Sequence, residues 1–117
     1  MALRDRLRRL TAPVEELDQE RLRTQCALPG VTPLADLAGR GPARVCGEVL
    51  SMRIVPRAGA PSLEVTIDDG TGRATAVFFG RKKVLGITPG RRLVLEGAAA
   101  PERNRVLFYN PAYDLQP

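Results

Sequence analysis

Residues 62–79 read SLEVTIDDGTGRATAVFF. Leu63, Val65 and Ile67 alternate with Ser62, Glu64 and Thr66, which is the period of a half-buried strand. Asp69-Gly70-Thr71-Gly72 follows, a tight-turn signal between apolar runs. The next run places Ala74, Ala76 and Phe78 on one side and Arg73, Thr75, Val77 and Phe79 on the other. Small residues at 74 and 76 suit the interior of a narrow barrel, with Phe78 closing one end. The outward row combines a cation, a hydroxyl and an aromatic ring, and runs straight into Arg81, Lys82 and Lys83.

Further strands flank this hairpin. ARVCGEVLSMRIV (43–55) is a long strand with a glycine inside it, which predicts a bulge or bend at Gly47. PRAGAP (56–61) reads as a loop. GRKKVLGITPG (80–90) carries too much Gly and Pro for a long helix. RRLVLEGAA (91–99) and NRVLFYN (104–110) read as strands four and five, joined by the loop APER, with PAYDLQP as a tail. Ahead of the strands, residues 2–27 read as helical. Leu3, Leu7 and Leu10 fall at helical spacing, and Pro13 separates a short first helix from a firmer second one over about 13–26. Leu-Pro-Gly at 28–30 stops it, and TPLADL makes a single turn. The expected organisation is a helical arm with its lead-in turn over 1–39 and a barrel over 40–117. The expected class is all-β, because a bent first strand serving both ends of the sheet is what a five-stranded OB-fold Greek-key barrel needs. Periodicity alone leaves an SH3-like barrel open.

The chain has 117 residues, enough for one domain with one core. No apolar run approaches the length of a membrane span, so no membrane partner is expected. MALRDRLRRL lacks the apolar stretch of a secretory signal. These features place the protein in the cytoplasm. The sequence has no histidine, and Cys26 and Cys46 form no CxxC. The commonest general base and metal ligand are therefore missing, and neither enzyme nor metal site nor cofactor is expected. Asp69 has a turn role that needs no catalysis. Charge is uneven: residues 1–39 hold six Arg and six Asp/Glu, while residues 40–117 hold twelve Lys/Arg and seven Asp/Glu, an excess of +5. A basic excess confined to the strand region favours a polyanion.

In an OB-fold, oligonucleotides bind the face of strands two and three between the first and last hairpin loops. That puts Arg53, Arg57, Arg73, Thr75, Phe79, Arg81, Lys82, Lys83, Arg103, Arg105 and Tyr109 forward as nucleic-acid-binding candidates. Phe79 could hold a stacked base, with phosphates beside the cations, or lie covered by the leucines of the arm. Phe108 is expected inside and Tyr109 partly outside. The arm nets zero charge and carries an apolar stripe, so a protein-interaction module using the barrel face or the N-terminal helical arm is the alternative reading.

The order of motifs also resembles a known family. VTPLADL (31–37), GEV (47–49), DDGTG (68–72), FFG (78–80), PGRRLVLEG (89–97) and NPAYDL (110–115) follow one another in an order that resembles that of similar pieces in the OB-fold wedge domain of RecG-type DNA helicases. The arm, LRRLTAPVEELDQERLR (7–23), is similar to that of small stand-alone OB-fold nucleic-acid-binding proteins of actinobacteria. The resemblance spans about residues 31–115. It implies binding to DNA, single-stranded or branched; the expectation is a module of low sequence specificity that favours DNA over RNA, with a place in repair or recombination. It also implies that Phe79 matches an aromatic that stacks on a base. Where some members carry a second aromatic four residues on, this chain has Lys83. No GxxxxGK[ST] is present, so the helicase motor is missing.

Overall fold

The computed structural model describes residues 14–117. The expected first helix, with Leu3, Leu7 and Leu10, lies outside the described residues. Helix α1 spans Val14–Gln25, with Glu15 and Glu16 in its first turn and Arg23 in its last, the charge order a helix dipole favours. A 3₁₀ turn follows at Leu34–Asp36. The strands are β1 (Gly41–Arg57), β2 (Ala60–Asp68), β3 (Arg73–Phe79), β4 (Arg92–Glu102), β5 (Arg105–Tyr109) and β6 (Ala112–Leu115). They pair in the order β1-β2-β3-β5-β4-β6, and an added β1–β4 pairing closes a ring of five strands. All pairs are antiparallel except β3–β5. This is an OB-fold barrel.

The first strand makes the closure possible. Residues 41–48 pair with β4, and residues 48–57 pair with β2. Gly47 sits at the bend because nothing larger fits: a Cβ there would lie 2.7 Å from the Cβ of Ile67. The register break falls between Val49 and Ser51 rather than at the glycine. Gly47 thus supplies the close approach, and the residue after Val49 supplies the bulge that turns the strand.

Three segments expected to be irregular are strands. PRAGAP is the tip of a hairpin whose ladder runs to Arg57–Ala60, around Ala58 and Gly59 at φ 51° and 79°. Two successive positive φ values match the right-handed twist of the flanking strands, so the hairpin continues where Pro and Gly predict a loop. Most of APER belongs to β4, and Arg103, at φ 56°, begins the turn into β5. The tail contains β6, which pairs with Leu93–Glu96 of β4. Between β5 and β6 only Asn110 and Pro111 intervene. The chain therefore leaves β3 and keeps following β4, and the ring retains five positions.

The core holds Val65, Ile67, Ala76, Leu93, Leu95 and Phe108, all fully buried. Val84 and Ile87, from the helix-free link between β3 and β4, join it. Asp69 ties the lead-in turn to the barrel. Its Oδ2 accepts the Leu34 N–H at 2.9 Å, and its Oδ1 accepts the N–H groups of Thr71 and Gly72 and the Thr71 hydroxyl. Asp68 accepts the Gly70 N–H and the Arg73 Nε–H. The two carboxylates of the DDGTG motif are hairpin fasteners.

Helix α1 docks beside that hairpin. Arg21 pairs with Glu48 at 3.0 Å, and Arg23 donates to the carbonyl of Gly70. Leu22 is buried, and Cys26 packs with Cys46 and Val94 as two free, buried thiols. Val14 and Leu17, expected to pack, are 78% and 46% exposed.

Candidate nucleic-acid interface

The outer face of β1, β2, β3 and β5 is built in rows. Arg53 lies opposite Glu64, Glu64 opposite Val77, and Val77 opposite Tyr109. The row toward the hairpin tip runs Val55, Ser62, Phe79, and the row on the other side runs Ser51, Thr66, Thr75, Leu107. Side-chain alternation alone dictates this membership.

Phe79 and Tyr109 meet diagonally across β3 and β5. Their rings lie parallel, 3° apart in plane, with centroids separated by 5.5 Å. They are 45% and 38% exposed, whereas their neighbours Phe78 and Phe108 point into the core. The pair is held from both sides. The Asn110 side-chain oxygen accepts the Phe79 N–H at 2.9 Å, and the Tyr109 hydroxyl donates to Glu102 at 2.7 Å. That bond to a carboxylate, with burial second, raises the pKa of Tyr109 above its ordinary value and keeps the phenol neutral. The Arg57 guanidinium carbon sits 5.9 Å from the Tyr109 ring centre, within cation–π range.

Beneath the arginines lies Glu64, only 3% exposed. Its carboxylate receives Arg57 at 2.9 Å, Arg105 at 3.1 Å and Arg53 at 3.3 Å. Burial pushes the Glu64 carboxyl up, but the hydrogen bonds from Arg57, Arg105 and Arg53 outweigh it and hold it below the usual carboxylate range. Three guanidiniums against one carboxylate leave this cluster at +2. The shared carboxylate draws the arginines into a fan, with Arg57 the most covered of the three. Beside the fan is a concavity of about 390 Å³ lined by Ser51, Thr66, Thr75, Arg73, Asn104 and Arg105 among others.

The structure brings Arg53, Arg57, Arg73, Thr75, Phe79, Arg105 and Tyr109 onto this one face. Thr75 and Val77 belong to it but are covered, and the Thr75 hydroxyl lies 3.4 Å from that of Thr66. Arg73 is tethered to Asp68 at 3.2 Å. Arg81, Lys82 and Lys83 are exposed on the turn after Phe79 and do not line the concavity. Arg103 is exposed at the β4–β5 turn and does not line it either. The described part of α1 docks at Glu48, Gly70 and Cys46, so it leaves the Phe79 ring open. Glu64, Glu102 and Asn110 are the organising residues missed in the sequence. The alternation of SLEVTID held the signal for Glu64, since it places a carboxylate amid the outward arginines.

No protein-family model matches this chain, and no curated protein matches it. Solved structures do. RecG bound to a three-way DNA junction superposes with a TM-score of 0.60 at 15% identity, covering 74% of this chain and 12% of that one. The S. pombe Stn1–Ten1 complex gives 0.53 at 17% identity, over 70% of this chain and 62% of that one. Yeast Stn1 and Ten1 give 0.52 at 17% identity, over 65% and 43%. The chain thus spans less than two thirds of each of these proteins, and the likeness establishes a shared OB-fold.

Proposed function

We propose that this chain is a non-catalytic OB-fold module that binds single-stranded or branched nucleic acid, DNA in preference to RNA, across the face of β1, β2, β3 and β5. The observation that carries the reading is the open, parallel Phe79–Tyr109 pair set beside a fan of three arginines. A base has a π-face of any sequence to lay on such a platform, and its phosphates find cations within a nucleotide's reach. The exposed Arg81, Lys82 and Lys83 extend the cationic rim where the strand would leave Phe79. The RecG structure that shares the fold holds a three-way DNA junction, which is consistent with the same use here. The carboxylate pair Asp68 and Asp69 is spent on backbone and side-chain donors of the hairpin, which supports binding without catalysis.

The test is fluorescence anisotropy with labelled single-stranded, duplex and forked DNA and single-stranded RNA over a salt series. Single-stranded or forked DNA should bind most tightly, with log affinity falling by about 0.7 per phosphate contact against log salt. Flat titrations with every ligand at low salt would sink the proposal. They would favour a protein-docking module instead, a reading to which the exposed Val14 and Leu17 of α1 lend support.

A further inference from the structure

We propose that the concavity between the arginine fan and the Thr66–Thr75 pair is a base-edge subsite that prefers keto bases, guanine and thymine or uracil, over the amino bases adenine and cytosine. This rests on the nucleic-acid reading above and deepens it from a charge-and-stacking surface to one with a chemical preference.

The argument is an inventory of hydrogen-bonding capacity. A carboxylate offers about four lone-pair sites. Glu64 already receives four N–H contacts: two from Arg53, one from Arg57 and one from Arg105. Three of these fall on Oε1 and one on Oε2, so the one buried acid in the concavity has little accepting capacity left. Arg53, Arg105 and Arg73 each retain N–H groups that no acceptor among the described residues takes up, since their bonds use only part of a five-donor fork. Thr66 and Thr75 share one hydroxyl hydrogen bond between them. The charged groups of the lining are thus mainly donors, while the Ser51 hydroxyl and the Asn104 amide can donate or accept.

A ligand edge seated there must supply acceptors. Guanine presents O6 and N7, the pair that an arginine fork meets best, and thymine presents O4. Adenine and cytosine turn an amino group, a donor, toward the same position. Facing N–H against N–H leaves both unsatisfied, which is the strongest form of discrimination available to a polar pocket.

A phosphate would also accept hydrogen bonds, but these cations are partly paired. Arg53, Arg57 and Arg105 share Glu64, and Arg73 is paired with Asp68, so four cations face two anions. Donors whose charge is half answered within the protein suit a neutral carbonyl. Among the described residues, Arg81, Lys82 and Lys83 have no ion pair, which suits a phosphate better.

The experiment compares d(TG)5 with d(CA)5 by anisotropy in lithium salt. The two match in length, phosphate count and purine content; one is all keto and the other all amino. Wild-type protein should bind d(TG)5 at least about fivefold more tightly, the low end of what one good base-edge pair provides. Arg105→Gln should bring the ratio close to one, weakening d(TG)5 by at least about fivefold more than it weakens d(CA)5. Equal affinities in the wild type, with both oligonucleotides bound, would overturn the subsite and leave the stacking module standing. Equal losses for both in Arg105→Gln, with a shallower salt slope, would assign the concavity to phosphate and overturn it too. No binding to either would remove the nucleic-acid reading itself.

Discussion

Replacing Glu64 by Gln probes the centre of the face. The change keeps shape and one acceptor oxygen, removes the charge, and turns an NH₂ toward guanidiniums that have nothing to offer it. Charge-assisted hydrogen bonds contribute about 1.5–3 kcal/mol each when buried. The three arginine side chains are 69%, 25% and 43% exposed, so much of what they lose is returned by water. A net loss of about 2 kcal/mol follows, well under the ~3–5 kcal/mol of a fully buried pair broken on one side. In a domain of this size that lowers the melting temperature by roughly 6–10 °C. The pH dependence gives the sharper test. The folded-state pKa of Glu64 is depressed, so its contribution is complete above the unfolded carboxylate value of about 4.3 and is lost as pH falls through the lower folded value. Calorimetric melts of wild type and E64Q should differ fully at pH 7 and converge as the pH drops below about 4. A second readout has the opposite sign: the cluster rises from +2 to +3, so nucleic-acid affinity at low salt should rise and its salt slope steepen. Equal melting temperatures at pH 7, or a gap that persists unchanged into acid, would refute the view that Glu64 holds the fan.

Phe79→Ala should weaken single-strand binding by about 1–3 kcal/mol at every salt concentration, measured by anisotropy, because a stacking surface is lost and no charge changes. Lys82→Ala combined with Lys83→Ala should instead flatten the salt slope by about 1.4, with unchanged affinity when extrapolated to high salt. Gly47→Ala should lower stability by about 1–3 kcal/mol in urea unfolding, since its new methyl group would overlap Ile67 at 2.7 Å in a packed wall.

Local alternation made much of the barrel legible. Ala74, Ala76 and Phe78 point inward and Phe79 outward because a strand has no other choice once one face is buried. The double role of the first strand was readable from its length and its glycine. What escaped depended on contacts distant in sequence. PRAGAP has loop composition, yet Ser62 bonds back to the Val55 carbonyl at 2.6 Å and the ladder continues past two prolines. APER prolongs β4 because β5 pairs with it, and the tail becomes a strand because Leu93–Glu96 of β4 offer the edge opposite β1. Val14 and Leu17 show the converse: their helical spacing is real, but the surface that α1 reaches, around Glu48 and Gly70, engages Leu22 instead.

The same contrast separates what the shared motifs do from what binds. DDGTG, the most recognisable stretch, spends its carboxylates on the lead-in turn, on its own backbone and on Arg73. It secures the β2–β3 hairpin and so fixes the alternation of both strands. The proposed binding chemistry follows from that fixed alternation, through residues no motif announces. Glu64 is one step out of phase with the core residues Leu63 and Val65, and Arg53 and Arg57 lie one step out of phase with Met52 and Ile54. Tyr109 lies one step beyond Phe108. A slip of one residue in β2 would carry Glu64 into the barrel and Val65 onto the fan, leaving three arginines without an anchor. Sequences that keep the hairpin but change residue 64 should therefore keep the barrel and lose the ordered face, and this separates inheritance of the fold from inheritance of its use.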